Sequence, residues 1–326
     1  MKRWVTAGFL LITVILFSLL VGNRAITTAD ILRTLSGSGS EAQRVILYQV
    51  RLPRIAAALF SGAALSVSGY LIQNNLNNTI ASPGLLGINN GAGLFVLFSA
   101  LLFPYRIEVK CLMAFLGAFL VMLAVSVFSA GCGMSKTSVI LSGVAITAVC
   151  GSVSDVIISL HPEVVADKVA FALGGFAGVP IKAVLTAAPV ILILLIAALI
   201  LAPGLDLMIL GDEVAAGLGL NIRFYRMMFI LCAALLSGAA VSMCGLIGFV
   251  GLMVPNMVRL VYKGKSRGGM VLCMLIGAGF LLFCDTLSRI LVFPYELPCG
   301  LLLSILGAPF LIRMLIKKRK RLGIHD

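Results

Sequence analysis

Residues 183–203 read AVLTAAPVILILLIAALILAP, twenty-one positions without one charged side chain. A bilayer core takes about 20 apolar residues per helix, so this stretch is long enough to cross it. Apolar runs of the same order fall near 4–22, 52–73, 85–104, 111–130, 138–160, 226–245, 247–262, 270–292 and 297–316. With 183–203 they predict ten membrane-spanning helices in an all-α polytopic fold. The eighth is short and holds Pro255, and 164–178 is too short to cross, which reads as a half-helix or re-entrant piece.

Composition agrees with lipid as the main solvent. Of 326 residues 61% are hydrophobic and 11% charged, with a mean hydropathy of +1.14, against roughly 25% charged in a soluble domain. No polar stretch is long enough for a separate soluble module, so residues 1–326 read as one transmembrane domain. The net charge of +13 does not point to nucleic acid, because much of it is concentrated in Lys317, Lys318, Arg319, Lys320 and Arg321 after the last apolar run. The eight cysteines stand singly in apolar sequence and read as small buried hydrophobes, with no metal-ligand spacing. Residues 4–22 follow Lys2 and Arg3 like a signal peptide, but no small-residue cleavage site follows, and an uncleaved first helix is expected.

Ten crossings place both termini on one side, together with the loop carrying Lys263, Lys265 and Arg267. The positive-inside rule makes that side the cytoplasm. The opposite side then receives 23–51, 105–110, 161–182 and 289–296, and keeps Arg51, Arg54 and Arg289 against the bias. An internal repeat is also visible: SGAALSVSG at 61–69 and SGAAVSMCG at 237–245, each preceded by an R-x-x-R (Arg51 and Arg54; Arg223 and Arg226). Five crossings separate the copies, so they run in opposite directions, an inverted-topology arrangement common in transporters. Small-residue faces for helix packing explain the same pattern.

The spans carry few groups suited to chemistry. Gly264-Lys265-Ser266 is the one approach to a P-loop, and the glycine needed five residues earlier is Arg259. The chain is therefore expected to have no nucleotide site, no cofactor, no metal and no catalytic residue of its own. The loop at about 206–226, DLMILGDEVAAGLGLNIRFYR, opens a short helix with Asp212 and Glu213, where acids complement a helix N-terminus. Gly217 and Gly219 permit termination or close approach. Such an element is either a surface feature or a docking element for a partner. Asp285 and Arg289 are four apart on one helix and predict a pair. Arg259 predicts snorkelling at the inner end. Asp155 stands without an evident partner, which leaves substrate contact or a helix–helix hydrogen bond.

Several motifs in order resemble the FecCD-type permeases that import iron–siderophores, haem and vitamin B12. They are RLPRIAAALFSGAALSVSG at 51–69, PGLLGINNGAG at 83–93, the loop LGDEVAAGLGL at 210–220, GLIGFVGLMVPNMVRL at 245–260 and DTLSRILVFPYELPCGLLLSILGAP at 285–309. Two departures stand out: the family's N-P-L-A is Asn78-Thr79-Ile80-Ala81, and the histidine usual after Pro255 is Asn256.

The resemblance implies a type II ABC importer permease, acting as a homodimer or paired permease in the cytoplasmic membrane of a prokaryote. It also implies two ABC ATPase subunits that use ATP and Mg, and an extracytoplasmic substrate-binding protein delivering a metal chelate. It assigns ATPase coupling to Gly211, Asp212, Glu213, Ala216, Leu218 and Gly219, and binding-protein docking to Arg51, Arg54 and Arg289. It sets a gate near Ser135–Ser138 with Lys136 and Thr137, and puts Asp155 beside the path. An ion-coupled secondary transporter is the alternative, which would want paired membrane acids or unwound carbonyl sites.

Overall fold

The computed structural model describes residues 2–21, 33–34, 36, 38–104, 106–133, 135–292 and 294–321. Part of the expected outer loop 23–51, and the side chains of the basic ends Lys2, Arg3 and Lys317 to Arg321, lie outside the described residues. Each of the ten apolar runs is a helix: α1 Lys2–Leu20, α2 Glu41–Asn75, α3 Ile88–Leu102, α4 Ile107–Gly131, α5 Lys136–Leu160, α7 Ile181–Ile209, α9 Ile222–Cys244, α10 Val250–Val261, α11 Ser266–Ile290 and α12 Cys299–Arg321. Among the described residues two short α-helices, α6 Val165–Leu173 and α8 Asp212–Gly217, lie between them.

Six helices (α2, α4, α5, α7, α9 and α11) are long and apolar enough to cross a membrane. The other four have apolar stretches of 10–17 residues. The short eighth run is α10, 12 residues, which at 1.5 Å per residue spans about 18 Å of a core about 30 Å thick. Its N-terminal neighbour Phe249 takes a left-handed φ of 65°, so the chain between α9 and α10 is not helical. The half-helix expected in 164–178 is α6. The C-terminal ends of α6 and α9 and the start of α12 are joined there by Gly175 N–H to Cys244 O (2.7 Å), Leu246 N–H to Phe171 O (2.8 Å) and Gly300 N–H to Gly174 O (3.2 Å). These bonds satisfy backbone groups that lipid would leave unpaired.

The two repeat copies form the centre. The apolar windows of α2 and α9 are 83% and 72% buried, more than those of any other long helix. They lie antiparallel: Asn75 Nδ2 donates to Arg226 O, and seven residues back along α2 Ser68 Oγ donates to Ala233 O, seven residues on along α9. The glycines of the α2 copy carry close contacts, Gly62 against the Gly277 carbonyl of α11 and Gly69 against the Gly251 carbonyl of α10. A β-carbon at either position would collide with that backbone. In lipid, helix association depends on such close approach rather than on a hydrophobic drive.

Contacts sort the loops into two ends. Trp4 stacks edge-on against Tyr262 at 6.0 Å, Ser266 N–H donates to Asp206 near the end of α7 (2.7 Å), and Lys136 meets Asp212. The start of α1, the 262–265 link, the turn before α5 and the loop holding α8 therefore share one end. Arg51, Arg54 and Arg289 lie at the other.

Candidate functional site

The loop expected at 206–226 is shorter in the structure, because α7 continues to Ile209 and α9 begins at Ile222. Gly211 enters α8 at φ 113° and Gly219 leaves it at φ 84°, conformations that a side chain resists. Gly217 has an ordinary φ and open space around its α-carbon, so its identity is not dictated sterically. Asp212 does more than face a helix N-terminus. Its Oδ2 accepts from Arg226 Nη2 at 2.7 Å and its Oδ1 lies 3.5 Å from Lys136 Nζ. Partial burial pushes its carboxyl up, but the Arg226 hydrogen bond and charge, with Lys136, outweigh this and hold it below the usual aspartate value. Ala215 is buried under α8, whereas Glu213, Val214, Ala216 and Leu218 are exposed. The loop thus presents three aliphatic side chains and one acid on a base pinned by ion pairs.

Lys136 and Thr137 begin α5, where Ser135 Oγ caps the helix by accepting from Ser138 N–H (3.0 Å). Through Lys136–Asp212 the expected gate segment touches the loop that holds α8, a contact across 76 positions of sequence that spacing does not reveal. Thr137 is exposed.

The three arginines correct the sequence reading. They do not form an exposed rim; all three are buried. Arg54 donates to Asp285 through Nη2 (2.8 Å) and Nε (3.0 Å), and to Glu296 through Nη1 (2.7 Å). Arg289 lies 3.3 Å from the same Asp285 carboxylate, the pair that their spacing predicts, and donates to Ser18 Oγ (2.7 Å). Arg51 donates to the Leu19 carbonyl. The reason is electrostatic: Asp285 is fully buried, and a carboxylate out of water needs cations and donors around it. Glu296, absent from the expected set, brings the loop before α12 onto Arg54.

Asp155 is also corrected. It is not unpaired: Oδ1 accepts from Lys168 Nζ on α6 at 3.1 Å, and the carboxylate side chain is 76% exposed in this chain. It lies on the open face of α5, with exposed Ser152 and Ser159. Arg259 does not snorkel away from its neighbours. It donates to Gln73 (2.8 Å), Asn74 (3.1 Å) and Asn256 (3.3 Å) and lies over the Tyr70 ring. The two departures noted in the sequence touch each other, since Asn256 Nδ2 donates to the Thr79 carbonyl at 3.0 Å.

Comparison with known proteins agrees with the resemblance. The FecCD transport family model matches residues 10–317. The Hemin transport system permease protein HmuU of Yersinia pestis is 35% identical over 324 residues, 96% of each chain. The Fe(3+)-citrate import system permease protein YfmD of Bacillus subtilis is 35% identical over 302 residues, 93% of this chain and 90% of that one. A solved structure described as an inward-facing conformation of a metal-chelate type ABC transporter superimposes with a TM-score of 0.87 at 25% identity, covering 97% of this chain and 99% of that one. Motif order, helix arrangement and near-complete coverage agree, and this multi-pass chain belongs to the FecCD transport family.

Proposed function

We propose that this chain is the membrane-spanning permease subunit of an ATP-driven importer for an iron chelate, a siderophore complex or haem. The observation that carries the reading is α8. It is a short acid-opened helix with exposed Val214 and Leu218, fixed by Asp212 to both Arg226 and Lys136. Gly211, Asp212, Glu213, Ala216, Leu218 and Gly219 receive an ATPase subunit, which binds ATP and Mg. Movement of α8 reaches α5 through the Asp212–Lys136 contact, and the rigid helices then rock between two states. The end carrying α8 and both termini faces the cytoplasm.

Two copies of the chain, or this one and a related permease, pair with the polar face of α5 towards the path, which gives Lys136, Thr137 and Asp155 their place. A substrate-binding protein docks at the opposite end. Because Arg54, Arg289 and Arg51 are buried there, they act from beneath the surface by orienting Glu296 and by the positive potential of three guanidiniums against two carboxylates. The metal chelate named for the relatives supports the substrate class. The pairing of Asp155 with Lys168 leaves the ion-coupled alternative without its one candidate acid.

The test is uptake of radiolabelled ferric citrate, ferric siderophore and haem by proteoliposomes holding this chain with a co-purified ATPase and binding protein. Replacing Glu213 and Gly219 together should abolish uptake and weaken ATPase co-purification while the permease stays folded. Unchanged uptake and ATPase binding would reject the assignment of α8.

A further inference from the structure

We propose that a groove between α4 and α7, at the end opposite α8, binds one phospholipid with a phosphoethanolamine headgroup. The groove encloses about 470 Å³. Its floor is Ala187 of α7 and Ala239 of α9, both buried, and its rims are the exposed Leu112 of α4 and Leu185 of α7. Small residues at the floor and large aliphatics at the rim make a slot for a slender apolar chain. From Lys182 down to Val190 the lined length of α7 is about 12 Å at 1.5 Å per residue, close to the depth of one leaflet of a core about 30 Å thick.

The mouth carries opposite charges. Lys182 Nζ lies 2.9 Å from Glu108 Oε1, and both side chains are well exposed, 72% and 62%. An exposed pair of this kind contributes about 0–1 kcal/mol to folding, so the fold does not depend on it. A zwitterionic headgroup matches both members: its phosphate meets Lys182 and its ammonium meets Glu108. A headgroup without the ammonium satisfies the lysine only, and leaves the glutamate facing like charge.

The surroundings favour lipid over protein as the occupant. The apolar window of α7 has a mean hydropathy of 3.0 and is only 28% buried. Its exposed residues beyond the groove, such as Ile193 and Ile200, are aliphatic. The even less covered α5 differs in exposing Thr137, Ser152 and Asp155 among aliphatics such as Leu141 and Val149, the kind of mixed face that meets a water path or another subunit. The groove's fit to a lipid is independent of the transported substrate.

The experiment uses the full-length chain, delipidated in mild detergent and titrated with phosphatidylethanolamine or phosphatidylglycerol, with bound lipid counted by native mass spectrometry. Wild type should retain one phosphatidylethanolamine per chain with about tenfold preference over phosphatidylglycerol, equivalent to about 1.4 kcal/mol. Lys182→Glu should remove that preference, and Lys182→Glu combined with Glu108→Lys should restore it. These positions are exposed, so thermal unfolding should be unchanged. Leu185→Trp, which blocks the rim from outside, should lower retention of both lipids.

Equal retention of the two lipids by wild type would overturn the proposal, as would phosphatidylethanolamine binding unaffected by both Lys182→Glu and Leu185→Trp. Cross-linking between two copies through Leu185→Cys would show a subunit interface there, and would also overturn it.

Discussion

Changing Arg54 to leucine removes a guanidinium that donates to Asp285 through two nitrogens and to Glu296 through a third. Asp285 has no exposure to solvent and keeps, among the described residues, only Arg289 at 3.3 Å as a cationic partner. Removing one member of a buried ion pair costs about 3–5 kcal/mol, because the remaining charge is left in a low dielectric without compensation. For a chain of this size about 2 °C accompanies each kcal/mol, so the melting temperature should fall by about 6–10 °C. Arg54→Glu should be worse still, since it sets a third carboxylate beside Asp285 and Glu296.

Adding Asp285→Asn to Arg54→Leu removes the stranded charge, and the double variant should recover at least about half of the loss. The assay is thermal unfolding of the detergent-purified chain, followed by size-exclusion recovery of monodisperse protein. Arg54→Leu melting within about 2 °C of wild type would refute the buried-network reasoning. If such a variant also lost uptake, Arg54 would be an exposed docking residue after all.

Other outcomes follow from the opposite end. Asp212→Asn should lower uptake while leaving the fold intact. Its carboxyl is held below the ordinary aspartate value, so its contribution is complete above that value and is lost only as pH falls through the lowered one. The ratio of variant to wild-type uptake in proteoliposomes should therefore stay constant from about pH 5 to 8. Gly219→Ala, at φ 84°, should cost about 1–2 kcal/mol of local order and reduce ATPase co-purification; an unchanged yield of the complex would count against the left-handed exit from α8. Cysteines at Lys136 or Thr137 should cross-link between protomers in at least one nucleotide state, and failure in every state would move the gate elsewhere. Asp155→Lys with Lys168→Asp should transport at near wild-type rate if the pair is a tether between α5 and α6. If the swap abolishes uptake while each single change is tolerated, the tether reading fails.

Legibility in the sequence followed the range of the interaction. The acid-opened helix at 212–217 was readable because its capping acids and flanking glycines lie within a few residues of one another. The i, i+4 pair of Asp285 and Arg289 was readable for the same reason. Arg54 and Asp285 are 231 positions apart, so the sequence shows a run of outer arginines but not that they are buried around one carboxylate. The lysine that pairs with Asp155 is on another helix, and the amide partners of Arg259, Gln73 and Asn74, belong to α2, so local spacing shows neither contact.

Composition and apolar runs are enough to show that this protein is helical and sits in lipid, and that two copies of one small-residue motif lie five apolar runs apart. These are properties of single segments measured against their solvent, so twenty residues at a time are enough to read them. That the repeat copies are the central antiparallel pair, that α5 and α7 are left largely uncovered at 17% and 28%, and which charges neutralise which are visible only once the helices are packed. Those depend on distances between helices remote in sequence. A charge costs little or much according to what those helices bring within about 4 Å of it.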